Sequence, residues 1–307
     1  MLSKDEFKDA IIEEIRDRLP SDYSVTEHQT IKERDTVLTG LNAVKEGNNV
    51  GVVLYAEHLY EDYSRGASVE EVAEGAVKVI QENTVERGSI PDFSREYILD
   101  HVFLRMANGE LNQRRFEHVP TMPVQGAEEI VLYPCVEMEV NGHMGVTVIR
   151  SGMIEDLGIS VEELHSAAQA NTEKRVQLMP LRDWLARMMP EMDQEALDNP
   201  IILAIDRGRS NSCGDASLFG APGLLKQLKE DCYIIPSSIH ELLLIPKSEI
   251  SDGDFLHQIV HDVNRSALEP EEFLSDHVFE TTGGTISTVK FEKEAEQKNE
   301  LDYVASV

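Results

Sequence analysis

Cysteine is scarce in this chain. There are three in 307 residues, Cys135, Cys213 and Cys232, well separated and with no Cys-x-x-Cys pair. That spacing argues against a disulfide framework and against a cysteine-rich zinc site. Long apolar runs are missing as well: none approaches the roughly 20 residues that a membrane helix needs. The first residues, Met1-Leu2-Ser3-Lys4-Asp5-Glu6, lack the basic-then-apolar pattern of a secretory leader. A reducing cytoplasm is the expected location. Positive charge is the third shortage: 28 Lys and Arg stand against 57 Asp and Glu, a formal net charge of −29. Such a surface repels phosphate backbones and anionic lipid, so neither nucleic acid nor membrane is the expected partner. The acids are spread along the whole chain rather than gathered in a block, which reads as an acidic solvated surface. A basic protein is the partner such a surface suits.

What is present is enough apolar material for a substantial core, at 41% hydrophobic residues over a length that suits one large domain or two smaller ones. Phe7, Ile11, Ile15 and Leu19 recur at helical spacing and end at Pro20. Strand-like stretches at 23–32, 36–45 and 50–55 follow, with Glu46-Gly47-Asn48-Asn49 as a turn, which predicts a meander. Ser68 and Glu71 form a capping-box pair before an apolar stripe through Val72, Ala76 and Ile80, and Ser160 with Glu163 form a second. Residues 95–107 fit a strand or a short helix. Asn141-Gly142 between apolar runs predicts a hairpin, and Gly283-Gly284 a last one. Pro222 suits the first turn of a helix facing inward through Leu224, Leu225 and Leu228. Ser251 suits the cap of another, with Leu256, Ile259, Val260 and Val263 inward. The expected fold is α+β, antiparallel sheets built as a meander and hairpins with helices packed on one side. Gly109, Pro120, Pro123 and Gly126 mark a boundary, giving lobes at 1–125 and 126–290 and a disordered polar tail at 291–307.

Several segments resemble a known family. They are Gly158-Ile159-Ser160-Val161-Glu162-Glu163-Leu164-His165 with the later Asn171-Thr172, then the 201–206 strand and Gly223-Leu224-Leu225-Lys226. Pro236-Ser237-Ser238-Ile239-His240-Glu241 and Val263-Asn264 follow, leading to Pro270-Glu271-Glu272-Phe273-Leu274-Ser275-Asp276. Together they resemble an uncharacterised bacterial family typical of Gram-positive gut anaerobes, with a weaker likeness to a second uncharacterised Gram-positive family. The resemblance implies a fold and a bacterial origin and names no reaction. It also suggests that Asn171 shares a pocket with the 236–241 turn.

Residues 232–246 hold the densest cluster of chemistry-bearing groups, two apolar runs flanking Ser237, Ser238, His240 and Glu241. A Ser-His-Glu centre is one reading, but neighbouring strand residues point to opposite faces and no Gly-x-Ser-x-Gly elbow exposes a serine. A single helical turn capped by Ser238 and Glu241 is another, and a binding surface a third. The loop from Asp206 to Asp215 places Arg207 and Arg209 among Gly and Ser after a strand. Neither the Walker spacing nor Gly-x-Gly-x-x-Gly is present, and no cofactor is expected. His257 and His261 stand four apart, but Gln258 fills the place of the glutamate in a His-Glu-x-x-His motif, and no metal is expected. The leading expectation is a non-enzymatic protein-binding or adaptor module. The alternative is a hydrolase or transferase built from the Ser237-Ser238-Ile239-His240 turn and the Arg207–Asp215 loop.

Overall fold

The computed structural model describes residues 1–48, 50–85, 92–140, 143–189, 200–206, 217–239, 241–250, 253–266 and 268–290. The chain divides into two compact units, Met1–Phe93 with Glu137–Val146, and Ser94–Val136 with Thr147–Val307. No described helix is long and apolar enough to cross a membrane. The 291–307 tail, Ser251 and the Asn141-Gly142 turn lie outside the described residues.

The first unit opens with α1 (Lys4–Arg18), where the Ser3 hydroxyl accepts from the Glu6 N–H and the Glu6 carboxylate accepts from the Ser3 N–H. These two bonds satisfy donors that a helix start otherwise leaves unpaired. Strands β1 (Tyr23–Ile31), β2 (Val37–Lys45) and β3 (Val52–Tyr55) form the expected antiparallel meander, in the order β1-β2-β3. Val25 pairs with Ala43, and Leu41 lies two residues before Ala43, so all three share one face. That face meets Phe7, Ile11 and Ile15 of α1 in one buried cluster. Helix α2 (Ala56–Ser64) follows β3, and α3 (Val69–Asn83) starts at the Ser68–Glu71 capping box. Val72, Ala73, Ala76 and Ile80 complete the cluster, as their helical spacing predicts.

The second unit settles the ambiguous 95–107 stretch as both elements. Ser94 caps α4 (Arg95–His101), and β4 (Val102–Asn108) follows at once, with Arg105 the one residue not buried. A strand buried on both faces shows no alternation, so periodicity cannot separate it from a buried helix. β4 pairs with β6 (Ile130–Val140), which also pairs with β5 (Met122–Pro123) and β7 (His143–Val148). The 108–128 stretch, expected to be a boundary, therefore lies within one unit. Its Gly and Pro residues end strands whose partners lie on either side of it.

Beyond β7 come α5 (Ser151–Asp156), α6 (Val161–Arg175), β8 (Val176–Pro180), α7 (Leu181–Met188) and β9 (Ile202–Asp206). The Ser160 hydroxyl accepts from the Glu163 N–H as expected, but the Glu163 carboxylate pairs with Arg95 instead of closing the capping box. Helix α8 (Pro222–Leu225) is a single turn with only Leu225 buried, shorter than the Leu224–Leu228 stripe implies. Strands β10 (Cys232–Ser238) and β11 (Glu241–Pro246), helix α9 (Gly253–Ser266), and the hairpin of β12 (Phe279–Thr282) and β13 (Thr285–Thr288) complete the unit. The sheet runs β13-β12-β10-β11-β9-β8, and every neighbouring pair is antiparallel. Leu256 and Val260 of α9 cover Ile235 and Ile245 on one face of this sheet, while Ile259 points outward at 37% exposure. The fold is α+β with antiparallel sheets.

Candidate functional site

Residues 232–246 form a β-hairpin. Cys232 pairs with Pro246 and Ser238 with Glu241, with a register shift between Pro236 and Ser238. Pro236 has no N–H to give, and it sits beyond Tyr233 and Ile234, the two residues of β10 that pair with β12. The helical-turn reading of Ser238 and Glu241 is thus replaced by a strand-to-strand connection. Ser238 is buried, and burial pushes the Glu241 carboxyl above its usual range. Between the unfolded value, about 4.3, and the raised folded one, the native state binds the extra proton. Stability therefore falls as pH rises through that window. Glu241→Gln should raise the thermal midpoint at pH 7 by a few degrees and change it little near pH 4, where the unfolded carboxyl is itself protonated. An unchanged midpoint at pH 7 would show that the fold holds this carboxylate at no cost.

Of the remaining predicted site residues, only Asn171 has a described side chain. His240, Arg207 and Arg209 lie outside the described residues, as does the side chain of Ser237. Asn171 sits on α6 and donates to the carbonyls of Leu99, Asp100 and Val102, at 3.0, 3.2 and 3.0 Å. Its amide ties off the end of α4, where helix carbonyls lack intrahelical donors. His165 Nε2 lies 2.7 Å from the Pro120 carbonyl. Among the described residues, no group of three or more His, Cys, Asp or Glu is placed to hold a metal.

The segments that resemble a family do converge, through backbone contacts. The Ile239 N–H donates to the Glu272 carbonyl at 2.8 Å. Asn264 donates to the Ser275 carbonyl at 2.9 Å and to Asp276 Oδ1 at 2.8 Å. The Ser275 hydroxyl donates to Glu129, whose Oε1 is 2.9 Å from His277 Nδ1, and the His277 N–H donates to Ser275 Oγ at 2.8 Å. These are the residue types of a hydrolytic triad in the wrong order, since the serine binds the carboxylate and not the imidazole. Ser275 is also fully buried. The cluster anchors the 273–277 segment to the start of β6. Glu129 and His277 escaped the sequence reading because no motif joins residues this far apart.

A surface of a different kind lies in the first unit. Between α2 and α3 runs a groove of about 550 Å³. Leu54, Leu59, Val72 and Ala76 are its apolar lining, and Val79 stands 42% exposed at its side. Asp62, Arg65 and Glu71 complete it. Arg65 is already engaged, with Glu61 at 3.4 Å and Asp62 at 3.2 Å. Hydrogen bonds from the Ser68 backbone and hydroxyl hold the Glu71 carboxyl below its usual range, so it stays ionised. Across 56–83 there are seven acids and two bases, and the charged residues that line the groove are two acids and one arginine. Gly75 also lines the groove, in the middle of α3, and a Cβ there would meet no heavy atom within 4 Å. The signal was available in the sequence as a glycine inside a well-capped helix beside a valine off the apolar stripe.

No curated protein and no solved structure matches this chain. One family model does, over residues 4–280, nearly the whole length of both described units. The chain belongs to a family of unknown function, DUF5688.

Proposed function

We propose that this chain is a non-enzymatic, cytoplasmic protein-binding module whose α2–α3 groove takes a basic amphipathic helix from a partner protein. Gly75 carries the reading. A glycine inside a helix costs about 1 kcal/mol relative to alanine, and no close contact requires one here. What the missing side chain leaves is room along the groove floor. A helix laid between two helices would place its apolar face on Leu59, Val72 and Val79 and its flanking lysines or arginines near Asp62 and Glu71. The net charge of −29 would speed encounter with such a partner and disfavour acidic ones. The hydrolase or transferase alternative rests on Ser237, Ser238, His240 and the Arg207–Asp215 loop, and of their side chains only that of Ser238 is described.

The test uses two synthetic amphipathic helical peptides with the same apolar face, one with lysines and one with glutamates on the polar face. Fluorescence anisotropy should show the lysine peptide binding at least about tenfold tighter. Its affinity should fall as salt rises from about 50 to 300 mM. Gly75→Leu fills the groove with a good helix former and should weaken the lysine peptide by about tenfold while the protein stays folded. Equal binding of the two peptides, or undiminished binding to Gly75→Leu, refutes the groove as the docking site.

A further inference from the structure

The second unit contains a cavity of about 360 Å³. Its apolar wall comes from Leu104, Met122, Leu132, Phe219, Pro222 and Ile286, contributed by β4, β5, β6, the 218–225 segment and the β12–β13 hairpin. Two primary amides, Gln125 and Gln169, also line it, and among the described residues no charged side chain does. In a chain with 28% charged residues, an uncharged wall drawn from five parts of the fold is unusual.

Two close approaches lie beside it. The first is a backbone contact. Gly126 has φ +85°, and a Cβ there would lie 2.0 Å from the Ile286 carbonyl oxygen, so the 122–127 loop rests directly on β13. Thr288 Oγ1 donates to the Gly126 carbonyl at 3.0 Å and locks that approach. The second is at the back of the wall. A Cβ on Gly220 would come within 3.0 Å of Leu104 Cδ1 and 3.1 Å of Ser217 Oγ. Ser217 is fully buried, and its hydroxyl has no hydrogen-bond partner among the described residues.

We propose that this cavity binds a small uncharged molecule with an apolar, ring-sized body and an amide-like hydrogen-bonding edge. The volume falls in the range of small-molecule sites, about 300–1,000 Å³. Among the described residues that line it, none offers an ionic ligand a counter-charge. The amides of Gln125 and Gln169 each offer a donor and an acceptor, which suits an edge carrying both. The site is independent of the groove, and either can fail without the other.

Three probes of nearly equal shape test it: benzamide, benzoate and protonated benzamidine. Methyl-detected NMR on the full chain should show benzamide shifting the Leu104, Met122 and Ile286 methyl signals at about millimolar concentration, while the two ions leave them unmoved. Gln169→Met keeps the bulk of a half-exposed side chain, removes its hydrogen bonds and should weaken benzamide by roughly fivefold. Leu104→Phe fills the cavity and should abolish the shifts. Equal binding of all three probes, shifts confined to other methyls, or an undiminished response in Gln169→Met overturns the proposal.

Discussion

Phe7→Ala should lower the unfolding free energy of the first unit by about 3–5 kcal/mol. Phe7 is fully buried, stacked on Tyr63 with ring centroids 4.9 Å apart and edge-on to Tyr60 at 5.4 Å. The two tyrosines cannot follow it inward, because their hydroxyls are tied to the backbone of Leu2, at 2.8 Å for Tyr63 and 3.2 Å for Tyr60. Truncation therefore leaves a cavity that relaxes little, and the cost approaches the upper part of the range for aromatic deletions. The same variant probes the division into units. Hydrogen exchange should speed up across α1, the β1–β3 meander and α3, and stay unchanged in the β10–β11 hairpin and α6. Uniform loss of protection over the whole chain would show one cooperative block instead of two.

Gly126→Ala should destabilise the second unit by about 3 kcal/mol, well beyond the cost of a strained dihedral alone. The new methyl would sit 2.0 Å from the Ile286 carbonyl oxygen and 3.2 Å from Ser287 Cα, and both obstacles are backbone. Neither can rotate away as a side chain would, so β13 or the 122–127 loop must move and break the Thr288–Gly126 bond. Gly66→Ala is the internal control. Gly66 has φ +112°, but nothing lies within 4 Å of its Cβ position, so it carries only the conformational term. Denaturant unfolding of the two variants separates strain from collision. If Gly126→Ala costs no more than Gly66→Ala, the close approach of loop and strand is wrong.

The outcomes at particular residues show where sequence reasoning holds. Ser68 and Ser160 each accept from the backbone N–H three residues on, and both were readable because a cap and its helix lie within one turn; Ser3 caps α1 in the same way. The second half of a capping box is less secure. Glu163 had a competitor 68 residues away in Arg95, and the ion pair won. The 95–107 stretch shows another limit, since a strand buried on both faces erases the alternation that would reveal it. The site residues fared by the same logic. Ser238 and Glu241 were placed on a hairpin by local pattern, and they do pair across it. Asn171 turned out to serve three carbonyls about 70 residues earlier in the chain, which no spacing rule announces.

By itself, then, the sequence determined the capped starts of α3 and α6, the meander, the hairpins at 232–246 and Gly283-Gly284, and the acidic composition. These arise from hydrogen bonds within a turn, from side-chain periods of two and 3.6, and from composition. Tertiary structure alone decided which strands share a sheet, that 108–128 lies inside a unit, and that Ser275 meets Glu129 across 146 residues. It also decided that Gly75 opens onto a groove while Gly126 is pressed against a carbonyl. The physical reason is the same in each case. A local rule sees a residue's neighbours in the chain, whereas space beside a Cβ is set by neighbours that only folding brings near.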